Sequence, residues 1–177
     1  MSSGEHAGET VAVIERQGAF VDRDAWDSRG WCRMERALEL IGTRSAMVLL
    51  REVFYGGTRF DELVSRSGLS EAVAAGRLKE LVAYGLLARR PYQEPGARTR
   101  HEYVLTDLGS RLFPVLVSLM EWGDLLKDDH RSGVELIHRD CGSALSSQVQ
   151  CDQGHPVAVS EAAVRIKDER LALRHRR

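Results

Sequence analysis

Asparagine is absent from the 177-residue chain, which removes one of the common readers of adenine in a DNA major groove. Cysteine is scarce. Cys32, Cys141 and Cys151 are too few to build a disulfide framework. No apolar run approaches the roughly 18–20 residues that a membrane span requires. Met1 to Thr10 is polar and acidic, with neither a basic start nor an apolar stretch behind it, so no secretory signal is read and the cytoplasm is the expected compartment. Charge of one sign is also missing. The formal net charge is −1, so no global positive field advertises a nucleic-acid partner, and a local basic patch would have to do that work. The chain holds no G-x-S-x-G elbow, G-x-G-x-x-G turn, Walker loop or H-E-x-x-H pair, so nothing points to an enzyme. His138-Arg139-Asp140 echoes a kinase catalytic triplet, but the Asn and the glycine-rich phosphate loop of that chemistry are both lacking.

What is present is a helical pattern. Residues 1–29 read as an arm, partly disordered or a strand docked on something larger, with one short apolar run at Val11 to Ile14. From Cys32 onward, Met34, Ala37, Leu38 and Ile41 recur at helical spacing until Gly42. Thr43 caps a second helix that Gly56-Gly57 stops, and Thr58 caps a short third helix with Phe60, Leu63 and Val64 inward. After Ser67-Gly68-Leu69, Ser70 caps a fourth helix that reaches Tyr84-Gly85. The period then drops to two. Leu86 to Arg90 and Arg100 to Leu105 read as strands around the turn Glu94-Pro95-Gly96-Ala97. Thr106-Asp107 caps a long final helix through Trp122, with Pro114 expected to kink it. A small polar unit over about 134–160 follows, and 161–177 reads as an exposed helix or tail.

The expected fold is mainly α with a β-hairpin: a winged helix-turn-helix with a long C-terminal dimerisation helix and a small C-terminal appendage. The expected partition is an arm over 1–29, the winged domain over 30–126 and a Cys/His-containing extension over 127–177. The third helix is short, Gly68 redirects the chain, the fourth helix is free to enter a major groove, and the hairpin carries Arg89, Arg90, Arg98 and Arg100 against one acid, Glu94. Such a basic tip suits phosphates or the minor groove.

Cys32-Arg33-Met34-Glu35-Arg36-Ala37-Leu38, Ile41-Gly42, Leu49-Leu50-Arg51-Glu52, Arg59-Phe60-Asp61-Glu62-Leu63, Arg77-Leu78-Lys79-Glu80-Leu81, Tyr84-Gly85-Leu86-Leu87, Tyr103-Val104-Leu105-Thr106 and Gly109 resemble the HxlR-type regulators, which are MarR-like winged-helix transcription factors. The resemblance runs continuously over about 31–124. It implies a homodimer built from the first and last helices, with Trp31, Met34, Leu116, Leu119 and Trp122 at the dimer contact, on a pseudo-palindromic operator in double-stranded DNA. It also implies repression, and a response to a small-molecule effector or to thiol oxidation. Two departures stand out. Ser45 replaces the Trp usual in the second helix, and the recognition helix reads Glu71-Ala72-Val73-Ala74-Ala75-Gly76-Arg77, poor in long polar readers. Gly76 costs about 1 kcal/mol of helix propensity against Ala.

The DNA contacts expected are as follows. Thr58 and Arg59 meet phosphate at the start of the third helix. Ser70, Glu71 and Ala72 face the groove from the fourth helix (70–83). Arg77 and Lys79 meet phosphate, although Arg77 also fits a partly internal place beside a carboxylate. Arg90, Arg98 and Arg100 belong to the basic wing (89–100), the last two entering or flanking the minor groove. The alternative is a winged-helix protein–protein module that has lost specific DNA binding.

Cys32 stands where the resemblance places a redox cysteine, with Arg29 and Arg33 beside it. A ligand pocket between the long helices, lined by Trp31, Met34, Phe113 and Trp122, is the sensing alternative to plain dimer core. In the extension, His138, Cys141, Cys151 and His155 have knuckle spacing and could form a tetrahedral Zn²⁺ site. The alternatives there are a disulfide between Cys141 and Cys151 or a small β element without metal.

Overall fold

The computed structural model describes residues 13–24, 26, 30, 32–93, 95–96, 98–126 and 133–167. It divides into two compact units, Trp31–Ser147 and a second made of Met1–Gly30 with Gln148–Arg177. This differs from the partition read off the sequence. The arm belongs with the end of the chain, because β1 (Glu15–Arg16) pairs in parallel with β4 (Ala163–Val164). Those residues of the tail form a strand where a helix or loose tail was expected.

In the larger unit the local signals act as read. α1 (Arg33–Ile41) starts at the N-cap Cys32 and ends at Gly42. α2 (Arg44–Phe54) is capped by Thr43, whose hydroxyl accepts from the Ala46 N–H at 3.2 Å. α3 (Phe60–Ser67) ends on Gly68, which takes the left-handed conformation at φ 66° that a side chain would oppose. α4 (Glu71–Ala83) begins at Ser70, whose hydroxyl accepts from the Val73 N–H. β2 (Leu87–Tyr92) and β3 (Arg100–Leu105) form an antiparallel hairpin from Leu87 opposite Leu105 to Tyr92 opposite Arg100.

α2 is the central element, packing on α1, α3, α4 and β3. Its Ala46, Leu49, Leu50 and Val53 meet Leu63 of α3, Ala74, Leu78 and Leu81 of α4, and Leu86 and Leu87 at the start of the hairpin. These side chains are the contiguous core whose removal from water holds the fold. Thr106 fastens the hairpin to the end of α4, its hydroxyl donating to the Gly85 carbonyl at 2.6 Å while its N–H donates to that of Leu86 at 3.2 Å.

Two expectations are corrected. Thr58 does not cap α3; Arg59 occupies the N-cap place without a side-chain capping bond, and Thr58 instead donates its N–H to the Glu62 carboxylate at 3.3 Å. The long final helix is two helices, α5 (Asp107–Ser110) and α6 (Phe113–Asp124). Pro114 lies in the first turn of α6, because it has no N–H to donate and its ring clashes with the carbonyl four residues back. Among the described residues no helix is long and apolar enough to cross a membrane.

Candidate nucleic-acid interface

The turn between α3 and α4 fixes which face of α4 is free. Ala74, Leu78 and Leu81 are buried against α2. Helical geometry then turns Glu71, Ala72, Val73, Ala75, Gly76 and Lys79 outward, and all six are exposed. Ser70 spends its hydroxyl on the cap, which steadies the first turn by about 1 kcal/mol and leaves it exposed beside Glu71 and Ala72. The three residues expected at the N-terminal end of the recognition helix are therefore together on one exposed turn.

Arg77 is different. Its guanidinium is paired with Glu80 one turn along α4, the side chain is three-quarters buried, and its Nε has no hydrogen-bond partner among the described residues. The partly internal place beside a carboxylate is the one it takes, and most of its charge is turned away from a passing phosphate. Lys79 is exposed.

The hairpin lies beside the start of α3. The Tyr103 N–H donates to the Thr58 carbonyl at 2.8 Å, and the Arg59 guanidinium stands over the Tyr92 ring, 4.9 Å from its centre. Thr58 is half-buried and holds the junction through its backbone, while Arg59 is exposed. Arg98 and Arg100 are exposed at the far end of the hairpin. Arg90 donates from Nε to Glu102 at 2.6 Å. The acid that matters on this hairpin is thus Glu102, directly opposite Arg90 in the strand register, a partner that the sequence reading did not count; Glu94 lies outside the described residues.

The residues expected to meet a second copy differ in how far they are exposed within one chain. No side chain of α1 is fully buried, although Ile41 packs partly against the core; Met34 and Leu38 are 68% and 52% exposed, and on α6 Leu119 and Trp122 are 46% and 60% exposed. Leu116 is corrected: it is buried in its own chain at 5%, on the inner side of α6. Trp31 lies outside the described residues. The pocket expected between Trp31, Met34, Phe113 and Trp122 includes Trp31 and so lies partly outside the described residues. Among the described residues, one space of about 240 Å³ lies between α6 and the segment after it, against Val117, Met120, Glu121, Asp124, Glu135 and Leu136, and another of about 530 Å³ lies against Arg51, Glu52, Tyr55, Arg66 and Met120.

All three cysteines are free thiols, so the disulfide alternative is not realised. Cys32 is partly exposed at the cap of α1. His138 and Cys141 share one turn in the larger unit, Nδ1 to Sγ 3.1 Å. Hydrogen bonds from the Ser143 side chain and backbone, and then His138, bring the Cys141 thiol down from 9.0 to about 7. Cys151 and His155 share a turn in the smaller unit, where the Cys151 N–H donates to the His155 carbonyl at 3.0 Å. Bonds from the Gln153 and His155 backbone lower the Cys151 thiol as well. Among the described residues no group of three or more His, Cys, Asp or Glu side chains is placed to hold a metal ion.

Comparison with known proteins agrees with this geometry. A family model described as HxlR-like helix-turn-helix matches residues 40–131. The HTH-type transcriptional regulator Rv3095 of Mycobacterium tuberculosis is 39% identical over 117 residues, spanning 66% of this chain and 73% of the relative. An HTH-type transcriptional regulator of Methanothermobacter thermautotrophicus is 32% identical over 66% of this chain and 87% of its own length. Among solved structures, PA1607, described as a candidate transcription factor, superposes with a TM-score of 0.69 at 35% identity, covering 80% of this chain and 98% of that one. The oxidised form of the redox regulator HypR superposes with a TM-score of 0.50 at 28% identity, over 55% of this chain and 99% of that one.

Proposed function

The chain belongs to the HxlR-like helix-turn-helix family of transcriptional regulators, and on that footing we propose that it works as a homodimeric repressor, each protomer placing α4 in the major groove of a pseudo-palindromic operator and its hairpin against the flanking minor groove. The observation that carries this reading is the junction of the two DNA-facing parts. Arg59 at the head of α3 stacks on Tyr92 of the hairpin, so the exposed turn Ser70-Glu71-Ala72 and the Arg98–Arg100 tip are tied into one piece rather than left as separate loops.

The support for the dimer is the unspent apolar face of α1 and α6. Met34, Leu38, Leu119 and Trp122 are all exposed within one chain, and a single amphipathic helix gains most of its stability by burying such a face. Two recognition helices related by a two-fold axis would then read two half-sites. Cys32 caps α1 beside that face, and oxidation of its thiol is the means by which redox chemistry would act on the dimer.

The test is fluorescence anisotropy of the purified protein on duplex DNA from upstream of its own gene, in a salt series, with sedimentation to count protomers. Sub-micromolar binding that outcompetes random DNA and weakens steeply with salt is expected. Binding by a monomer, or equal affinity for random DNA, would overturn the dimeric operator reading.

A further inference from the structure

We propose that α4 reads its DNA mainly through thymine methyl groups, with Val73 as the principal contact and Gly76 as the position that lets the helix settle close enough to make it. This rests on the reading of α4 as the groove-entering helix and names what that helix recognises.

The outward face of α4 carries Ala72, Val73, Ala75 and Gly76 between Glu71 at its start and Lys79 one turn further on. The bidentate readers of guanine and adenine are long polar side chains. Asn is missing from the whole chain, and Arg77 is turned to Glu80. Between its charged ends at Glu71 and Lys79, this face offers small and apolar side chains: Val73 is 48% exposed. The complementary feature of a base edge is the C5-methyl of thymine, which alone among the groups in the major groove takes an apolar contact.

Gly76 supplies a separate argument. It stands in the interior of a thirteen-residue helix, where glycine is the poorest choice after proline. Its backbone is not in the left-handed region, and a Cβ built there would meet nothing within 4 Å. Among the described residues nothing therefore calls for glycine. A missing side chain on an exposed helix face is explained by something outside the chain that approaches the backbone closely. With Ala72 and Ala75 beside it on the preceding turn, the helix presents a shallow surface there, and the groove floor comes within reach of a side chain as short as valine. Charge is supplied by the flanks, Arg59 at the head of α3 and Arg98 and Arg100 on the hairpin. Attraction to phosphate thus comes mainly from residues that flank the reading face, with Lys79 at its edge, and discrimination comes from within it.

The experiment starts from duplexes that the full chain selects out of a random-sequence library. In these, single thymines are replaced by deoxyuracil, which removes only the methyl, and affinity is read by anisotropy. We expect thymines at fixed places in the selected sequence, and about a fourfold loss of affinity at each contacted methyl, the value of one buried carbon. Val73→Ser should abolish that difference without changing the salt dependence. Gly76→Ala should bind at least tenfold more weakly while melting at the same or a higher temperature, which separates lost approach from lost folding. Specific binding that is indifferent to uracil at every position, or a Gly76→Ala protein that binds like the parent, overturns the inference and leaves the groove-entering role of α4 standing. Failure to enrich any sequence over random overturns both, and turns the apolar face of α4 toward a protein partner.

Discussion

The guanidinium carbon of Arg59 lies 4.9 Å from the centre of the Tyr92 ring, joining the residue that opens α3 to the last residue of β2. An exposed cation–π pair of this kind is worth about 0.5–1 kcal/mol, too little to hold the fold but enough to hold the attitude of a two-stranded hairpin. Tyr92→Ala is expected to lower affinity for every duplex roughly two- to fivefold, with little change in melting temperature. Tyr92→Phe, which keeps the ring, should restore it. Anisotropy beside thermal unfolding decides this, and a loss confined to stability would remove the coupling between α3 and the hairpin.

The arginines of the hairpin are not equivalent. Arg90 is engaged by Glu102 at 2.6 Å, whereas Arg98 and Arg100 are exposed beyond the paired strands or at their end. Arg98→Ala should therefore weaken binding to all sequences and flatten the salt slope by about 1, and Arg90→Ala should do less. Removing the acid has the opposite sign. Glu102→Gln releases Arg90, steepening the slope by roughly 0.9 if the freed charge meets one phosphate. Stability should hardly move, since Arg90 is 65% exposed and such surface pairs contribute little. Unchanged affinity in the Arg98 variant would sink the wing assignment.

Gly109 is the described glycine with least room for a side chain. It is buried in α5, its N–H donates to the Thr106 hydroxyl at 3.0 Å, and a Cβ there would overlap the Leu86 carbonyl oxygen, which is backbone and cannot swing aside. Gly109→Ala should cost about 3 kcal/mol, read as a lower urea midpoint at unchanged slope. The contrast with Gly76, where open space surrounds the same change, separates a glycine required by packing from one that packing does not require.

How much of this could be read from the residues depends on how local the cause is. Thr43 and Ser70 cap their helices through bonds spanning three residues, so the sequence carries them openly. The kink expected at Pro114 became a break, because proline's two penalties are lower at the start of a new helix than inside an old one. Arg90 and Glu102 are twelve residues apart; only the hairpin register sets them opposite, and counting back from Leu87 and Leu105 would have found the pair. The β1–β4 pairing was not legible, since two residues per strand are too few to carry a period. The outward face of α4 was visible as a list of small residues. Its meaning needed the buried positions of Ala74, Leu78 and Leu81 to say which side was which.

Cys141 gives a pH dependence with a definite sign. Its thiol is exposed and is brought from 9.0 to about 7, first by the Ser143 hydroxyl and backbone and then by His138, whose Nδ1 is 3.1 Å away. A lowered value means that the thiolate survives to lower pH. Since the thiolate is the nucleophile, alkylation of Cys141 by iodoacetamide should be half-maximal near pH 7 and fall as the proton returns below it. Ser143→Ala should move the midpoint furthest toward the value of an ordinary thiol, and His138→Ala should move it part of the way. Peptide mass spectrometry at each pH keeps Cys141 apart from Cys32 and from Cys151, whose thiol is also lowered, by the backbone at Gln153 and His155. A midpoint at 9 in the parent protein would mean that the turn from His138 to Ser143 does not hold the thiolate in solution.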